Sequence, residues 1–95
     1  MNNWGVTTVK VKGFYYIEHQ ATGQVYTGSS SDAQKEADDL VASLTTASCP
    51  IKRLTKLCKL DSKVKAKVVE CGSIGEARAL EKEFRSKRQP YVLIN

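Results

Sequence analysis

The stretch Gly13-Phe14-Tyr15-Tyr16-Ile17-Glu18-His19-Gln20-Ala21-Thr22-Gly23-Gln24-Val25-Tyr26-Thr27-Gly28-Ser29-Ser30 decides the architecture of this chain. It is preceded by Val9-Lys10-Val11-Lys12, which alternates apolar and basic residues, and its run Phe14 to Ile17 is aromatic and β-branched. Such residues suit a pleated, half-buried surface, so a first strand is predicted here. Ala21-Thr22-Gly23 reads as a turn and Gln24-Val25-Tyr26-Thr27 as a second short strand. A connection this short makes the pair an antiparallel hairpin, because parallel neighbours need a crossover of about a dozen residues.

Toward the C-terminus the period changes. Ser29-Ser30-Ser31-Asp32 supplies several capping oxygens ahead of Ala33, Ala37, Leu40, Val41 and Leu44, whose spacing marks one buried helical face. The outer face carries Lys35, Glu36, Asp38 and Asp39, so this first helix is acidic. After Ser48-Cys49-Pro50 a second helix places Ile51, Leu54, Leu57 and Cys58 inside and Lys52, Arg53, Lys56 and Lys59 outside. Val64, Ala66 and Val68 then alternate with Lys63, Lys65 and Lys67, predicting a third strand with one basic face. Ser73-Ile74-Gly75-Glu76 has capping-box spacing and opens a helix that buries Ile74, Ala77, Leu80 and Phe84. Pro90 stops it, and Tyr91-Val92-Leu93-Ile94 is expected as a short strand or extended tail.

The 95 residues suffice for one small domain, 1–95, with 1–12 an N-terminal extension leading into the first strand. With 41% hydrophobic and 26% charged residues the balance is that of a folded domain, and no apolar run is long enough for a membrane span. Cys49, Cys58 and Cys71 are odd in number, far apart and without a neighbouring histidine, which fits neither a zinc knot nor a disulfide framework. Free thiols and a start, Met1-Asn2-Asn3, without the regions of a secretory signal lead to the expectation of an intracellular, cytoplasmic protein.

Charge is unevenly spread. Residues 1–50 hold three lysines against five acids, a net of −2, and residues 51–95 hold twelve Lys or Arg against five acids, a net of +7. A basic half of this kind suits a polyanion, with a solvated basic face as the alternative. Lys52, Arg53, Lys56, Lys63, Lys65 and Lys67 are the expected nucleic-acid-binding residues, forming one basic sector. Glu81 breaks the pattern of the last helix: it projects beside Ala77 and Ile74, at the margin of the buried face. A carboxylate there needs a donor, a cation or water, which makes it either an edge residue reaching solvent or a ligand for a hard divalent ion.

Gly13-Phe14-Tyr15 followed by Tyr26-Thr27-Gly28-Ser29-Ser30 resembles the GIY-YIG nuclease superfamily, named for Gly-Ile-Tyr and Tyr-Ile-Gly on two neighbouring strands. The eleven-residue step from Tyr15 to Tyr26 suits that family. Ala77-Arg78-Ala79-Leu80-Glu81 resembles its segment with a single metal-binding glutamate, and Pro90 lies where such domains leave the last helix. The resemblance covers Gly13 to Asn95 and implies a small α/β sandwich with a three-stranded, mainly antiparallel sheet flanked by helices. It further implies a metal-dependent DNA endonuclease: Tyr15 and Tyr26 around the attacking water, Glu81 on one Mg²⁺ or Mn²⁺, and a cation steadying the scissile phosphate.

The family's arginine is expected about ten residues after the second tyrosine, and Glu36 stands there. Lys35 is adjacent and is the candidate stand-in, but one helical step turns a side chain by about 100° and an ammonium lacks a planar fork. Arg53 and Arg78 are the other substitutes. The family's late polar residue corresponds to Asn95, displaced toward the end, or is lost at Val92 or Leu93. Cleavage is therefore expected to be weak. The alternative is a degenerate module that keeps the fold to bind nucleic acid, or a protein partner through its acidic first helix. His19 is expected at the surface near the hairpin turn, with proton transfer as the alternative role, and Trp4 as a packing anchor.

Overall fold

The hairpin forms as two strands of equal length, β1 (Gly13–His19) and β2 (Gln24–Ser30), with Tyr15 opposite Gly28 and Ile17 opposite Tyr26. The structure is a computed structural model and describes residues 10–46 and 48–95; Trp4 and Val9 lie outside the described residues. β3 (Val64–Glu70) pairs antiparallel with the free side of β1, setting Val68 against Tyr15 and giving the order β2-β1-β3. The expected three-stranded antiparallel sheet flanked by helices is thus what the chain forms.

Strand alternation deals the residues of β1 to two cores. Tyr15 and Ile17 pack with Ala33 and Ala37 of α1 (Ala33–Thr45) and Leu54 of α2 (Lys52–Leu60). Phe14, on the opposite face, packs with Cys71 and with Ala77 of α3 (Ile74–Ser86), joined by Tyr16, Val69, Leu80 and Phe84. The Phe84 ring stacks on Tyr16 at 4.8 Å between centroids, and the Arg88 guanidinium covers Phe84 at 3.4 Å from its centroid. Leu54 is wholly buried and fastens α2; a truncation to Ala at such a site costs about 2–5 kcal/mol.

The helix starts differ from one another. Ser73 caps α3 by accepting from the Glu76 amide at 3.1 Å, while the Glu76 carboxylate reaches one residue past the cap and accepts from the Gly72 amide at 3.2 Å instead of that of Ser73, so only half of the expected capping box forms. No side-chain cap serves α1: β2 runs on through Ser30, and its first helical amide, Ala33, donates instead to the Val11 carbonyl at 2.8 Å. The serines expected as caps are thereby left to other partners.

His19 is buried rather than exposed. Its Nε2 lies 2.7 Å from the Asp61 carbonyl, an acceptor only, so Nε2 carries the proton and Nδ1 accepts from the Thr22 hydroxyl at 2.8 Å. Both ring nitrogens are engaged in tying the hairpin turn to the end of α2. The expected terminal strand is reduced to a 3₁₀ turn, Pro90–Val92, and a single parallel bridge between Leu93 and Val25, with the Ile94 amide donating to the Val25 carbonyl at 2.7 Å. Proline at the first turn position, with φ fixed and no N–H, starts that turn. Among the described residues no helix is long and apolar enough to cross a membrane.

Gly13, opposite Glu70, lies close against the β3 backbone. A Cβ built there falls 2.1 Å from the Val69 carbonyl oxygen, a main-chain atom that no rotamer change can move. Gly13→Ala is expected to cost at least about 1–3 kcal/mol, measured by denaturant unfolding. An unchanged unfolding midpoint would mean that the two strands do not approach this closely.

Candidate functional site

Gly28 is the pivot of the site. Tyr15 points to the α1 face of the sheet, and its ring passes directly over Gly28 on the edge strand: a Cβ at Gly28 would lie 2.6 Å from both Cζ and the hydroxyl oxygen of Tyr15. The Tyr15 hydroxyl emerges beyond the strand and donates to Glu36 Oε1 at 2.8 Å. Tyr26 lies diagonal to Tyr15 on the same face, ring centroids 6.4 Å apart. Glu36 is in the first turn of α1, where the helix macrodipole favours a carboxylate.

Glu81 approaches the same edge strand from the α3 face. It is half-buried and its oxygens are engaged: Oε2 accepts from the Thr27 hydroxyl at 2.7 Å and Oε1 from the Ser29 hydroxyl at 2.6 Å. Thr27 and Ser29 flank Gly28 and point to the opposite face from Tyr26, so one strand offers tyrosine to one side and hydroxyls to the other. Arg85, one turn after Glu81, donates to the Thr27 hydroxyl at 3.0 Å, to Asn95 Oδ1 at 3.0 Å and to the Asn95 main-chain oxygen. The Asn95 side chain grips the Thr27 backbone, accepting from its amide at 3.1 Å and donating to its carbonyl at 2.6 Å. Asn95 itself, not Val92 or Leu93, therefore lies at the site.

The two carboxylates act on the two phenols. Burial, the hydrogen bond to Glu36 and the charge of Glu36, with smaller contributions from Tyr26 and Glu81, push the Tyr15 hydroxyl far above the ordinary tyrosine range. Burial and the charges of Glu36 and Glu81 also raise Tyr26, while the neighbouring Tyr15 hydroxyl partly offsets the rise. Both are neutral phenols at neutral pH, and the proton of Tyr15 is directed at Glu36. Glu81, though on the other face of the sheet, is thus within electrostatic reach of both tyrosines across the edge at Gly28.

Of the residues singled out in the sequence, Tyr15, Tyr26 and Glu81 converge on this edge. Lys35 does not: its ammonium pairs with Asp39 at 2.7 Å on the exposed side of α1. The expected basic sector divides. Lys52, Arg53 and Lys56 line a groove of about 800 Å³ along α2, with Lys59 and the exposed Leu60; Arg53 donates to Gln24 Oε1 at 2.8 Å, at the start of β2. Lys65 and Lys67 lie on the opposite face, alternating with Val64, Ala66 and Val68 and opposite Glu18 and Tyr16, and Lys63 precedes β3 near the hairpin turn. Thr27, Ser29 and Arg85 escaped the sequence reading, although the four-residue step from Glu81 to Arg85 places them on one helix face.

The donors around Glu81 are all oxygen: one carboxylate and two hydroxyls. That set suits a hard divalent cation which keeps several waters and takes the rest of its shell from substrate phosphate. Among the described residues no group of three or more His, Cys, Asp or Glu is placed to hold a metal. No family model matches the chain, and neither a curated protein nor a solved structure matches it.

A raised folded pKa means that the native chain holds a proton which the unfolded chain releases above about pH 10. The stability this confers is present below about pH 10 and falls as pH rises further. Denaturant midpoints for the unaltered chain are expected to decline above about pH 10 more steeply than those of Tyr15→Phe. Parallel declines would show that Tyr15 is not the perturbed phenol.

Proposed function

We propose that the chain is a GIY-YIG-type module that holds DNA along the β2 edge and hydrolyses its phosphodiester backbone slowly with one Mg²⁺ or Mn²⁺. The observation that supports it is the convergence of Tyr15, Tyr26 and Glu81 on one strand edge at Gly28, with Glu81 already oriented by Thr27 and Ser29. The groove of Lys52, Arg53, Lys56 and Lys59 lies along the same edge, reaching β2 at Gln24, four residues from Gly28. That step is about 13 Å at strand rise, close to the axial rise of about four nucleotides of one strand.

Glu81, with Thr27 and Ser29 beside it, would hold the divalent ion, which supplies Lewis-acid polarisation of a phosphoryl oxygen when bound. Tyr15 and Tyr26 stay protonated and orient a water through their hydroxyl oxygens. With the Tyr15 hydroxyl pushed above its ordinary range no phenolate is present at neutral pH, and a neutral phenol is a poor base. Glu36, on the exposed face of α1, also sets an anion where the phosphate approaches, and like charges repel. Both effects keep the reaction slow.

The Tyr15–Glu36 hydrogen bond also favours a second reading, in which the module binds DNA without cutting it, or binds a protein partner through the exposed acidic face of α1. Plasmid cleavage with Mg²⁺ or Mn²⁺ distinguishes the two. Weak nicking is expected from the unaltered chain, none from Glu81→Ala, and a gain of up to about 10²-fold from Glu36→Arg, the scale of one electrostatic group in a transition state. Silence from both the unaltered chain and Glu36→Arg would leave the binding module. Brisk cleavage by the unaltered chain would mean that Glu36 is no obstacle.

A further inference from the structure

We infer that Arg85 is the phosphate-gripping cation of this edge, binding one phosphate of the DNA strand through the pair of N–H groups that the fold leaves unused; this rests on the DNA reading above. A guanidinium has five N–H donors in a rigid plane. In Arg85, Nη1 spends both of its protons on the Thr27 hydroxyl and Asn95 Oδ1, and Nη2 spends one on the Asn95 main-chain oxygen. The remaining Nε–H and second Nη2–H lie side by side and parallel, and no acceptor meets them among the described residues. Two parallel donors are the geometry that phosphate oxygens accept bidentately.

Three observations make this group, and not another cation, fit the role. Arg85 and Glu81 are one turn apart and meet at the same Thr27 hydroxyl, so the free fork is beside the carboxylate that would hold the metal. Arg85 makes no ion pair with Glu81: the side-chain ion pairs among the described residues are Lys35 with Asp39 and Lys87 with Glu83. Of the other arginines, Arg53 reaches Gln24 in the α2 groove, Arg88 is held on the Phe84 ring and carbonyl, and Arg78 stands exposed on α3 three residues before Glu81; Arg85 is the one bonded to Thr27 beside Glu81. The hydrogen bonds to Thr27 and Asn95 hold the guanidinium plane before any ligand arrives, which lowers the ordering cost of binding.

The test is anisotropy of a short labelled DNA duplex in Ca²⁺ across a salt series, with thermal melting of each variant. Arg85→Gln is expected to weaken binding about tenfold and to lower the log–log salt slope by about one phosphate. Arg85→Lys keeps the charge and a donor for Thr27 but loses the fork, and is expected to keep the slope while losing affinity. Asn95→Ala removes the clamp partner and spares Arg85, so its slope should match the unaltered chain. Equal losses in Asn95→Ala and Arg85→Gln would make Arg85 a clamp only and overturn the inference. So would an unaltered slope in Arg85→Gln. If the unaltered chain does not bind the duplex at all, the DNA reading fails first. If Arg85→Gln does not fold, Arg85→Lys with wild-type affinity overturns the inference.

Discussion

The central strand β1 buries both of its faces, and that double burial governs where the rest of the molecule is placed. Tyr15 and Ile17 require the wall made by α1 and α2, and Phe14 requires the wall made by α3. Neither helix layer is free to shift without exposing one side of the strand. With order β2-β1-β3, β2 becomes an edge with a helix layer above and below it, and around such an edge side chains of the two layers can approach one another without a strand between them. The proposed site is that junction: Tyr15 and Glu36 on one side, Glu81 and Arg85 on the other, and at Gly28 the one position on β2 where the Tyr15 ring can lie across the backbone.

The electrostatics follow from the same arrangement. Glu36 is stable where it is, at the start of α1, because the helix end favours its charge and a buried phenol offers a proton. Glu81 is stable because two hydroxyls satisfy it. Each carboxylate therefore has hydrogen-bond donors supplied by the fold. Two satisfied anions and a held guanidinium form a stiff cluster, whose hydroxyl and amide partners orient the charged groups as outer-shell residues orient metal ligands.

Much of this was legible in the residues. The alternation of β1 and β2, the apolar face of α1 and the Ser73 cap of α3 are local patterns, and each is realised. Tyr15, Tyr26 and Glu81 were legible through the tripeptide pair and the broken pattern of α3. What was not legible depends on which way a strand's second face points. Thr27 and Ser29 look like ordinary turn and capping residues until α3 is known to cover them. Lys65 and Lys67 look continuous with Lys52 and Lys56 until β3 turns them to the opposite face. His19 looked like a surface residue because its partner, the Asp61 carbonyl, is forty-two positions away.

The segment after the 3₁₀ turn has one more physical effect. A strand edge with unpaired N–H and C=O groups is a template on which another chain can add. Leu93 bridges Val25, Ile94 takes the Val25 carbonyl, and the Asn95 carboxamide takes both backbone groups of Thr27. From Val25 to Thr27 the edge of β2 has no ladder left to offer. The same few residues that hold Arg85 beside Glu81 therefore also guard this part of the sheet against edge-to-edge self-association, so that the proposed site and a barrier to aggregation share one set of hydrogen bonds.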